Sequence, residues 1–313
     1  MLPRRQDLSA LLVRAVARVP MGSVRLSPRA VEAVFDLRRR AAGLRRKEVT
    51  VGRFTIPYLE GGDPTGAPLV LVHGFSDNKD SFVDTCRIFE KGHRIVLPDL
   101  PGFGEASAPL DFTYDLPAFS TVLGGFFDAV GLHRAHAVGS SLGGAVLVQL
   151  TLDRPELVRS LSLVSAAGLR MPTPSPLQLR LDAGDNPFVV DSYAGYEQFM
   201  GFVLERQPPI PGPIRRHMAE EFMARAELNG KIMDDLLEGA PDLTPRLGEI
   251  EADALLLWGD CDRLIDISAG RVYHERLVGS RMVIFHGIGH CPQYECPDRT
   301  GRYVAQFVES LAR

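Results

Sequence analysis

Short apolar runs typical of buried strands alternate with helical stretches along most of this 313-residue chain, from residue 48 onward. Several of these runs are continuous stretches of Val, Leu and Ile, which indicates strands that are buried on both faces. Such alternation predicts an α/β fold, in which helices cover both faces of a mostly parallel sheet. Eight strands are predicted: Glu48–Val51, Phe54–Leu59, Leu69–Val72, Arg94–Leu97, Ala135–Val138, Ser160–Val164, Ala254–Trp258 and Arg281–Phe285.

The helices between these strands are predicted at Lys79–Lys91, Leu116–Val130, Leu142–Asp153, Ser268–Leu277 and Asp298–Leu311. The alternation breaks once, because residues 169–250 contain no convincing strand. A compact domain rarely contains an unstructured connection of this length, so the interval should carry its own helices, for example Gly195–Leu204 and Ile214–Leu228. We therefore predict a core formed by residues 48–168 and 251–313, with a helical cap inserted at residues 169–250.

The formal net charge of −4 hides an asymmetry along the chain. Residues 1–47 hold 12 of the 35 Lys and Arg residues but only 3 of the 39 Asp and Glu residues, so residues 48–313 are acidic. An acidic body argues against nucleic acid as a partner. No run approaches the ~18 apolar residues of a membrane-spanning helix. The four cysteines form no disulfide framework, and no secretory signal is evident, which together predict a cytoplasmic protein.

Residues 1–47 are predicted to form a basic N-terminal extension that is helical in part. An apolar stripe at helical spacing excludes Arg14 and Arg18, and it consists of Leu8, Leu11, Leu12, Ala15, Val16 and Val19. A basic amphipathic helix can lie on an anionic membrane, which would place the protein at the membrane periphery. The stripe could instead dock on the acidic body, with the arginines paired to its carboxylates. The sequence leaves both interpretations open.

The motif Gly139-x-Ser141-x-Gly143 lies between a predicted strand and a predicted helix. The motif alone is common, whereas a strand, this motif and a helix together describe a nucleophile elbow. Such a turn holds its central residue in a strained conformation that exposes the hydroxyl, and the glycines relieve the crowding around it. Ser141 is therefore the predicted nucleophile. The alternative is a glycine-rich turn without a catalytic role.

A serine hydroxyl needs a base to take its proton, and that base needs an orienting carboxylate. In folds built around a nucleophile elbow, the acid and then the histidine follow the serine along the chain. Asp262 and His290 each come just past one of the last two predicted strands, and we predict that they are the acid and the base. Asp260 and then Asp266 are the rival acids, and His286 is the rival base.

Attack on a carbonyl group builds negative charge on its oxygen, and each of two backbone N–H donors can lower the barrier by roughly 3 kcal/mol. One predicted donor is the N–H of Leu142, which follows the nucleophile at the start of a helix. The other is the N–H of Phe75, in the loop after a predicted strand. No set of His, Cys and Asp residues has metal-ligand spacing, so we expect neither a metal nor a cofactor.

Four segments carry a family resemblance: residues 73–80 (HGFSDNKD), 138–144 (VGSSLGG), 258–268 (WGDCDRLIDIS) and the pair Gly289-His290. They resemble α/β-hydrolase-fold serine hydrolases, and more narrowly the α/β-hydrolase-domain monoacylglycerol lipases and related bacterial lipases. The resemblance covers about residues 48–313. It implies a cap that shapes an acyl pocket, and the same functional residues: Ser141, Asp262, His290, Phe75 and Leu142. One departure is Glu295-Cys296-Pro297, where relatives often carry Glu-Arg-Pro.

Together these features predict a cofactor-free hydrolase of carboxylic esters that acts through an acyl-enzyme intermediate. Medium-chain acyl esters or monoacylglycerols, either small-molecule or lipid esters, are the predicted substrates. Lactonases and hydrolases of C–C bonds use the same set of residues, so both remain alternatives among enzymes. A ligand receptor on a hydrolase fold is the alternative from another class. The sequence does not determine the oligomeric state, the acyl-chain length or whether the cap moves.

Overall fold

An eight-stranded sheet forms the centre of the computed structural model, which describes residues 25–89, 92–239 and 241–311. Its strands are β1 Leu44–Val51, β2 Phe54–Gly62, β3 Ala67–Val72, β4 His93–Pro98, β5 Ala135–Ser140, β6 Val158–Val164, β7 Asp253–Gly259 and β8 Arg281–Phe285. They lie in the order β1-β2-β4-β3-β5-β6-β7-β8. β2 is antiparallel to β1 and β4, and the remaining neighbours are parallel. The predicted α/β architecture with eight mostly parallel strands is confirmed.

The α-helices of the described ranges flank this sheet and fill the interval between β6 and β7. They are α1 Pro28–Ala41, α2 Leu116–Val130, α3 Leu142–Asp153, α4 Pro176–Asp182, α5 Tyr193–Val203, α6 Gly212–Ala224, α7 Ala226–Gly239, α8 Ile267–Arg276, α9 Pro292–Glu295 and α10 Pro297–Ser310. The bounds of α2 and α3 match their predictions, and those of α8 and α10 differ by one residue. Local signals explain α2, because the Asp115 side chain caps its first turn and Gly131, with φ 68°, ends it.

Apolar side chains cover both faces of the sheet, in agreement with the continuous apolar runs in the sequence. Val70 and Val72 of β3 pack in one cluster with aromatic residues of α2. Leu69 and Leu71 of the same strand pack in a second cluster that includes residues of α10. Successive strand residues point to opposite faces, so the two clusters lie on opposite faces of the sheet. The layers hold the carboxyl ends of β3, β5, β7 and β8 at one edge.

The helix predicted at Lys79–Lys91 is wrong for the part of it that the structure describes. Turns occupy most of the segment, and its helical content is a short 3-10 helix at Thr85–Ile88. The Asp80 N–H donates to Asn78 Oδ1 at 2.9 Å, and the Lys79 N–H donates to Asp99 Oδ1 at 2.7 Å. Side chains that accept backbone hydrogen bonds in this way compete with the bonds of a helix.

Helices without a described strand occupy the interval between β6 and β7. α5 lies within two residues of the prediction Gly195–Leu204, but the single helix predicted at Ile214–Leu228 is wrong. The chain forms α6 and α7 there, with a break at Arg225. The Arg225 guanidinium donates to the carbonyl oxygens of Gly102 and Gly104 at 2.9 and 2.6 Å. These bonds tie the break between α6 and α7 to the loop that follows β4. The division of the chain into a core and a cap stays a prediction.

Arginine contacts hold the described N-terminal part of the chain against the rest of the molecule. Arg39 of α1 is 3% exposed, and its guanidinium donates to both oxygens of Asp80 at 2.7 and 2.6 Å. It also pairs with Glu32 and Asp36 on its own helix. Because α1 bears this buried pair, the helix is anchored to the loop that follows β3.

The predicted boundary at residue 47 falls inside β1, which begins at Leu44 and pairs along its whole length with β2. The apolar stripe predicted at Leu8–Val19 lies outside the described residues. Over the ranges that the structure does describe, no helix combines the length and the hydrophobicity needed to cross a membrane.

Candidate active site

Ser141 occupies a sharp turn between the end of β5 and the start of α3. Its backbone has φ 51° and ψ −118°, a conformation that is costly for a residue with a side chain. The flanking glycines make the turn possible. A Cβ on Gly139 would lie 2.6 Å from the Gly143 carbonyl oxygen, and a Cβ on Gly143 would lie 2.5 Å from that of Val72. The predicted elbow geometry is present, with Ser141 partly exposed at its tip.

Asp262 and His290 are in contact just beyond β7 and β8. His290 Nδ1 lies 2.9 and 3.0 Å from the two carboxylate oxygens of Asp262, and both residues are buried. Asp262 Oδ1 also accepts the N–H groups of Leu264 and Ile265 at 2.9 and 3.0 Å. A carboxylate held by two backbone donors orients the ring. With Nδ1–H donating to Asp262, Nε2 is the nitrogen left to take a proton.

The rival residues lie elsewhere or serve other roles. Asp260 Oδ2 contacts His286 Nδ1 at 2.9 Å, and Asp260 Oδ1 accepts the Gly287 N–H at 2.7 Å. The hydrogen bond from His286 is the main reason that the pKa of Asp260 is lowered, and the His286 side chain is 87% exposed. Asp266 caps α8 by accepting the Ser268 N–H at 2.8 Å. Asp262 with His290 and Asp260 with His286 therefore form two separate pairs, the first buried and the second exposed.

A hydrogen bond joins the elbow to the loop that carries His290. Gln293 Nε2 donates to the hydroxyl of Ser140 at 3.0 Å, and both residues are buried. Ser140 directly precedes Ser141, and Gln293 comes three residues after His290. The loop after β6 packs on the elbow as well, because the Ala167 N–H donates to the Ser141 carbonyl oxygen at 3.0 Å. The structure thus gathers the elbow and the buried acid–histidine pair at one edge of the sheet.

The loop after β3 lies beside Ser141, where the second oxyanion donor is predicted. A Cβ on Gly74 would lie 3.1 Å from Ser141 Cβ, so a larger residue would crowd the elbow. Phe75 follows Gly74 directly. Leu142 is the first residue of α3, so its N–H has no acceptor within the helix. The two predicted donors therefore flank Ser141 on the loop and on the helix, respectively.

His73, at the start of this loop, fixes the position of the loop and is not part of the predicted set of catalytic residues. Its Nδ1 contacts the Gly74 carbonyl oxygen at 2.7 Å, and its Nε2 accepts the Leu100 N–H at 2.9 Å. Nε2 can accept this bond only if the proton is on Nδ1, so the contacts assign the tautomer. Both ring nitrogens are occupied by backbone groups, and the imidazole fixes the β3 loop against the loop after β4.

Aromatic side chains form an apolar wall next to the predicted oxyanion loop. The ring of Phe75 packs edge to face on Phe188, at 4.6 Å between centroids, and on Phe103 at 5.1 Å. Phe188 in turn packs on Phe199 of α5 at 5.0 Å. The segment between β6 and β7 therefore contributes apolar surface to the immediate surroundings of Phe75.

Two polar residues near the site, Asp77, which is partly buried, and Asn229, which is fully buried, form contacts that have no signal in the sequence. Asp77 accepts hydrogen bonds from the Tyr294 and Ser81 hydroxyls, each at 2.8 Å, and burial raises the pKa of its carboxyl. Asn229 of α7 donates to the Ser76 hydroxyl at 3.0 Å. Partners in these contacts are up to 217 positions apart, so no local pattern could reveal them. No cluster of three or more His, Cys, Asp or Glu residues suited to a metal occurs within the described ranges.

Comparison with known proteins relates this geometry to a family. Residues 67–198 match the family model for the α/β-hydrolase fold. A solved structure, described as a membrane phospholipase A and a bacterial virulence factor, is 34% identical over 99% of both chains, with a TM-score of 0.90. Lipase 1 of Psychrobacter immobilis is 28% identical over 99% of both chains. Monoacylglycerol lipase abhd6-B of Xenopus laevis is 27% identical, over 87% of this chain and 85% of the relative.

These similarities confirm the resemblance predicted from the four motifs. The sheet order and the elbow are consistent with them, and the 34% identity extends over nearly all of both chains. The protein is accordingly a member of the α/β-hydrolase family.

Proposed function

We propose that this protein hydrolyses carboxylic esters through an acyl-enzyme formed on Ser141. The observation that carries the proposal is the buried Asp262–His290 pair, at 2.9 Å, joined by Gln293 to the strained elbow of Ser141. A buried imidazole that a carboxylate holds in one orientation is the base that a serine hydroxyl needs for its activation. The relatives named lipases and monoacylglycerol lipase support ester hydrolysis as the reaction.

In the proposed reaction, Ser141 Oγ attacks the ester carbonyl carbon while His290 Nε2 takes the hydroxyl proton. Asp262 keeps the imidazole oriented and stabilises its protonated form. The N–H groups of Phe75 and Leu142 bind the negative oxygen of the tetrahedral intermediate. His290 then returns the proton to the leaving alcohol, and the acyl group stays on Ser141. Water, deprotonated by His290, attacks the acyl-enzyme and releases the carboxylic acid, which restores the hydroxyl.

The proposed substrates are medium-chain acyl esters and monoacylglycerols. Support comes from the relatives named lipases and monoacylglycerol lipase, and from the partly exposed Phe75 beside Ser141, because an acyl chain gains binding free energy in proportion to the apolar area it buries. Each buried CH₂ group contributes about 0.8 kcal/mol, so activity should rise with acyl length until the chain exceeds the available apolar surface.

Turnover of p-nitrophenyl esters with acyl chains of increasing length tests the proposal. We expect Ser141→Ala to lower kcat by roughly 10⁴-fold or more, since the residue is lost as nucleophile. Ser310→Ala, at the end of α10, is the matched control and should keep wild-type activity. A fluorophosphonate probe should label the wild type and not Ser141→Ala. Undiminished turnover by Ser141→Ala would refute the assignment of the nucleophile.

A further inference from the structure

A four-residue segment, Val203 to Arg206, crosses the loop that carries His290. It begins at the last residue of α5, and we call it the strap. The His290 N–H donates to the Val203 carbonyl oxygen at 3.0 Å. A Cβ on Gly289 would lie 2.7 Å from the Glu205 nitrogen and 2.8 Å from the Val203 oxygen. Strap and loop therefore approach backbone to backbone, at a distance that only glycine permits at position 289.

One carboxylate bonds both sides of this contact. Glu295, five residues after His290, accepts the Gly289 N–H at 3.0 and 3.1 Å, on its two oxygens. Its Oε2 also accepts the Arg206 N–H of the strap at 2.8 Å. The side chain thus bridges the residue before His290 and the end of the strap. Carboxylates that accept backbone N–H groups form hydrogen bonds about twice as strong as neutral acceptors do.

The strap is also attached to the loop that carries the acid. Arg263, next to Asp262, donates to the Glu205 carboxylate at 2.5 Å and to the Gly201 carbonyl oxygen at 3.3 Å. The strap is therefore bonded to the acid loop on one side and to the histidine loop on the other. Its position and the geometry of the Asp262–His290 pair depend on each other.

We propose that Glu295 is a positioning residue for the reaction, because its carboxylate locks the strap against the His290 loop and so sets the place of the imidazole relative to Asp262 and Ser141. This inference rests on the proposed function of those three residues. A displacement of about 1 Å at a reacting group can cost 10²-fold in rate, so the bridge needs no contact with substrate to influence turnover. Glutamine is a poor replacement, since its carbonyl oxygen carries no negative charge and its NH₂ group, in the place of Oε1, would face the Gly289 N–H donor.

The test is the variant Glu295→Gln, with Glu309→Gln as a matched control that removes the same charge from an exposed position on α10. Both are assayed with a p-nitrophenyl ester, for labelling rate by a fluorophosphonate, and for the midpoint of thermal unfolding. We expect Glu295→Gln to lower kcat by about 10- to 100-fold with KM changed less than about twofold. The labelling rate should fall by the same factor. A merely structural role would lower the unfolding midpoint and leave kcat per folded molecule unchanged.

A second variant, Arg206→Pro, removes the strap N–H without touching the carboxylate, at an exposed position. It should lower kcat in the same way as Glu295→Gln. If either variant is folded at the assay temperature and keeps the wild-type kcat, the positioning role is refuted. This failure differs from failure of the proposed function, in which the wild type itself would show no labelling that depends on Ser141.

Discussion

A buried histidine in the central strand β5 should make stability depend on pH in a predictable way. His136 is 3% exposed, and its Nδ1 contacts the Ser160 hydroxyl at 2.7 Å. Burial is the main cause that lowers the pKa of His136 from 6.5 to about 4, and the positive charge of Arg159 lowers it further. Between these two pH values the unfolded chain binds a proton that the folded chain does not. The stabilising contribution is therefore complete above pH 6.5 and is lost as pH falls towards 4.

The size of the loss follows from the shift. A pKa that falls from 6.5 to about 4 corresponds to about 3 kcal/mol between the two protonation states. Most of this loss occurs above pH 4.5. At constant temperature and salt concentration, His136 should therefore lower the free energy of unfolding by about 2 kcal/mol between pH 7 and pH 4.5. Carboxylates titrate over the same range and add their own dependence, which a variant must cancel.

The variant His136→Asn keeps a polar atom near the position of Nδ1 and cannot take up a proton. The cavity that it leaves costs the same free energy at both pH values, so that cost cancels in the difference. Urea unfolding at pH 7 and 4.5 is followed by the fluorescence of Trp258, the single and buried tryptophan. The wild type should lose about 2 kcal/mol more than His136→Asn between the two pH values. His133→Asn, at an exposed position, is the control and should behave as the wild type.

Equal losses in the wild type and in His136→Asn, to within about 0.5 kcal/mol, would refute this reasoning. Such a result would mean that the imidazole is protonated in the folded protein, or that the unfolded chain does not bind the proton at this site.

Three further predictions concern single residues. Gly143→Ala should abolish labelling of Ser141 by a fluorophosphonate or lower the unfolding midpoint, because the added Cβ meets the backbone of Val72 at 2.5 Å; normal labelling and stability would contradict the elbow geometry. Asp262→Asn should lower kcat by about 10⁴-fold with little change in urea stability, and retained turnover would point to another acid. Arg39→Met should cost about 3–5 kcal/mol in urea unfolding, because it leaves Asp80 unpaired, whereas the exposed Arg87→Met should cost below about 1 kcal/mol.

The parts of the structure that the sequence predicted well depend on interactions between neighbouring residues. Apolar runs predicted most of the strands, although β1, which is largely exposed, begins four residues before its predicted start. Local signals also agree with the prediction of α2, which the structure shows capped by Asp115 and ended by Gly131. The elbow at Ser141 was evident because steric conflict around a strained turn requires small residues on both sides. Prediction failed for Lys79–Lys91, where Asp99, twenty residues from Lys79, accepts the backbone N–H. A contact of that range leaves no periodic pattern along the chain.

The positioning contacts around the site are of the same long-range kind. Glu295 bonds the Arg206 backbone 89 positions away, and Gln293 bonds Ser140 across 153 positions. In the sequence, Gln293 and Glu295 look like common surface residues, since polar side chains are frequent in exposed loops. Only the folded chain gives these side chains backbone or hydroxyl partners.

The sequence by itself determined the α/β architecture, the elbow and the short set of acids and histidines from which a catalytic pair can come, because apolar periodicity and glycine sterics act within a few residues. It favoured Asp262 with His290 from their order along the chain, but it did not show which acid and which histidine are buried together. Asp260 and Asp262 are two residues apart, and His286 and His290 are four apart. Yet the Asp262–His290 pair is buried and the Asp260–His286 pair is exposed. The tertiary structure decided this, because the pairing depends on where the loops after β7 and β8 meet and on which carboxylate the backbone N–H groups of Leu264 and Ile265 hold in the interior.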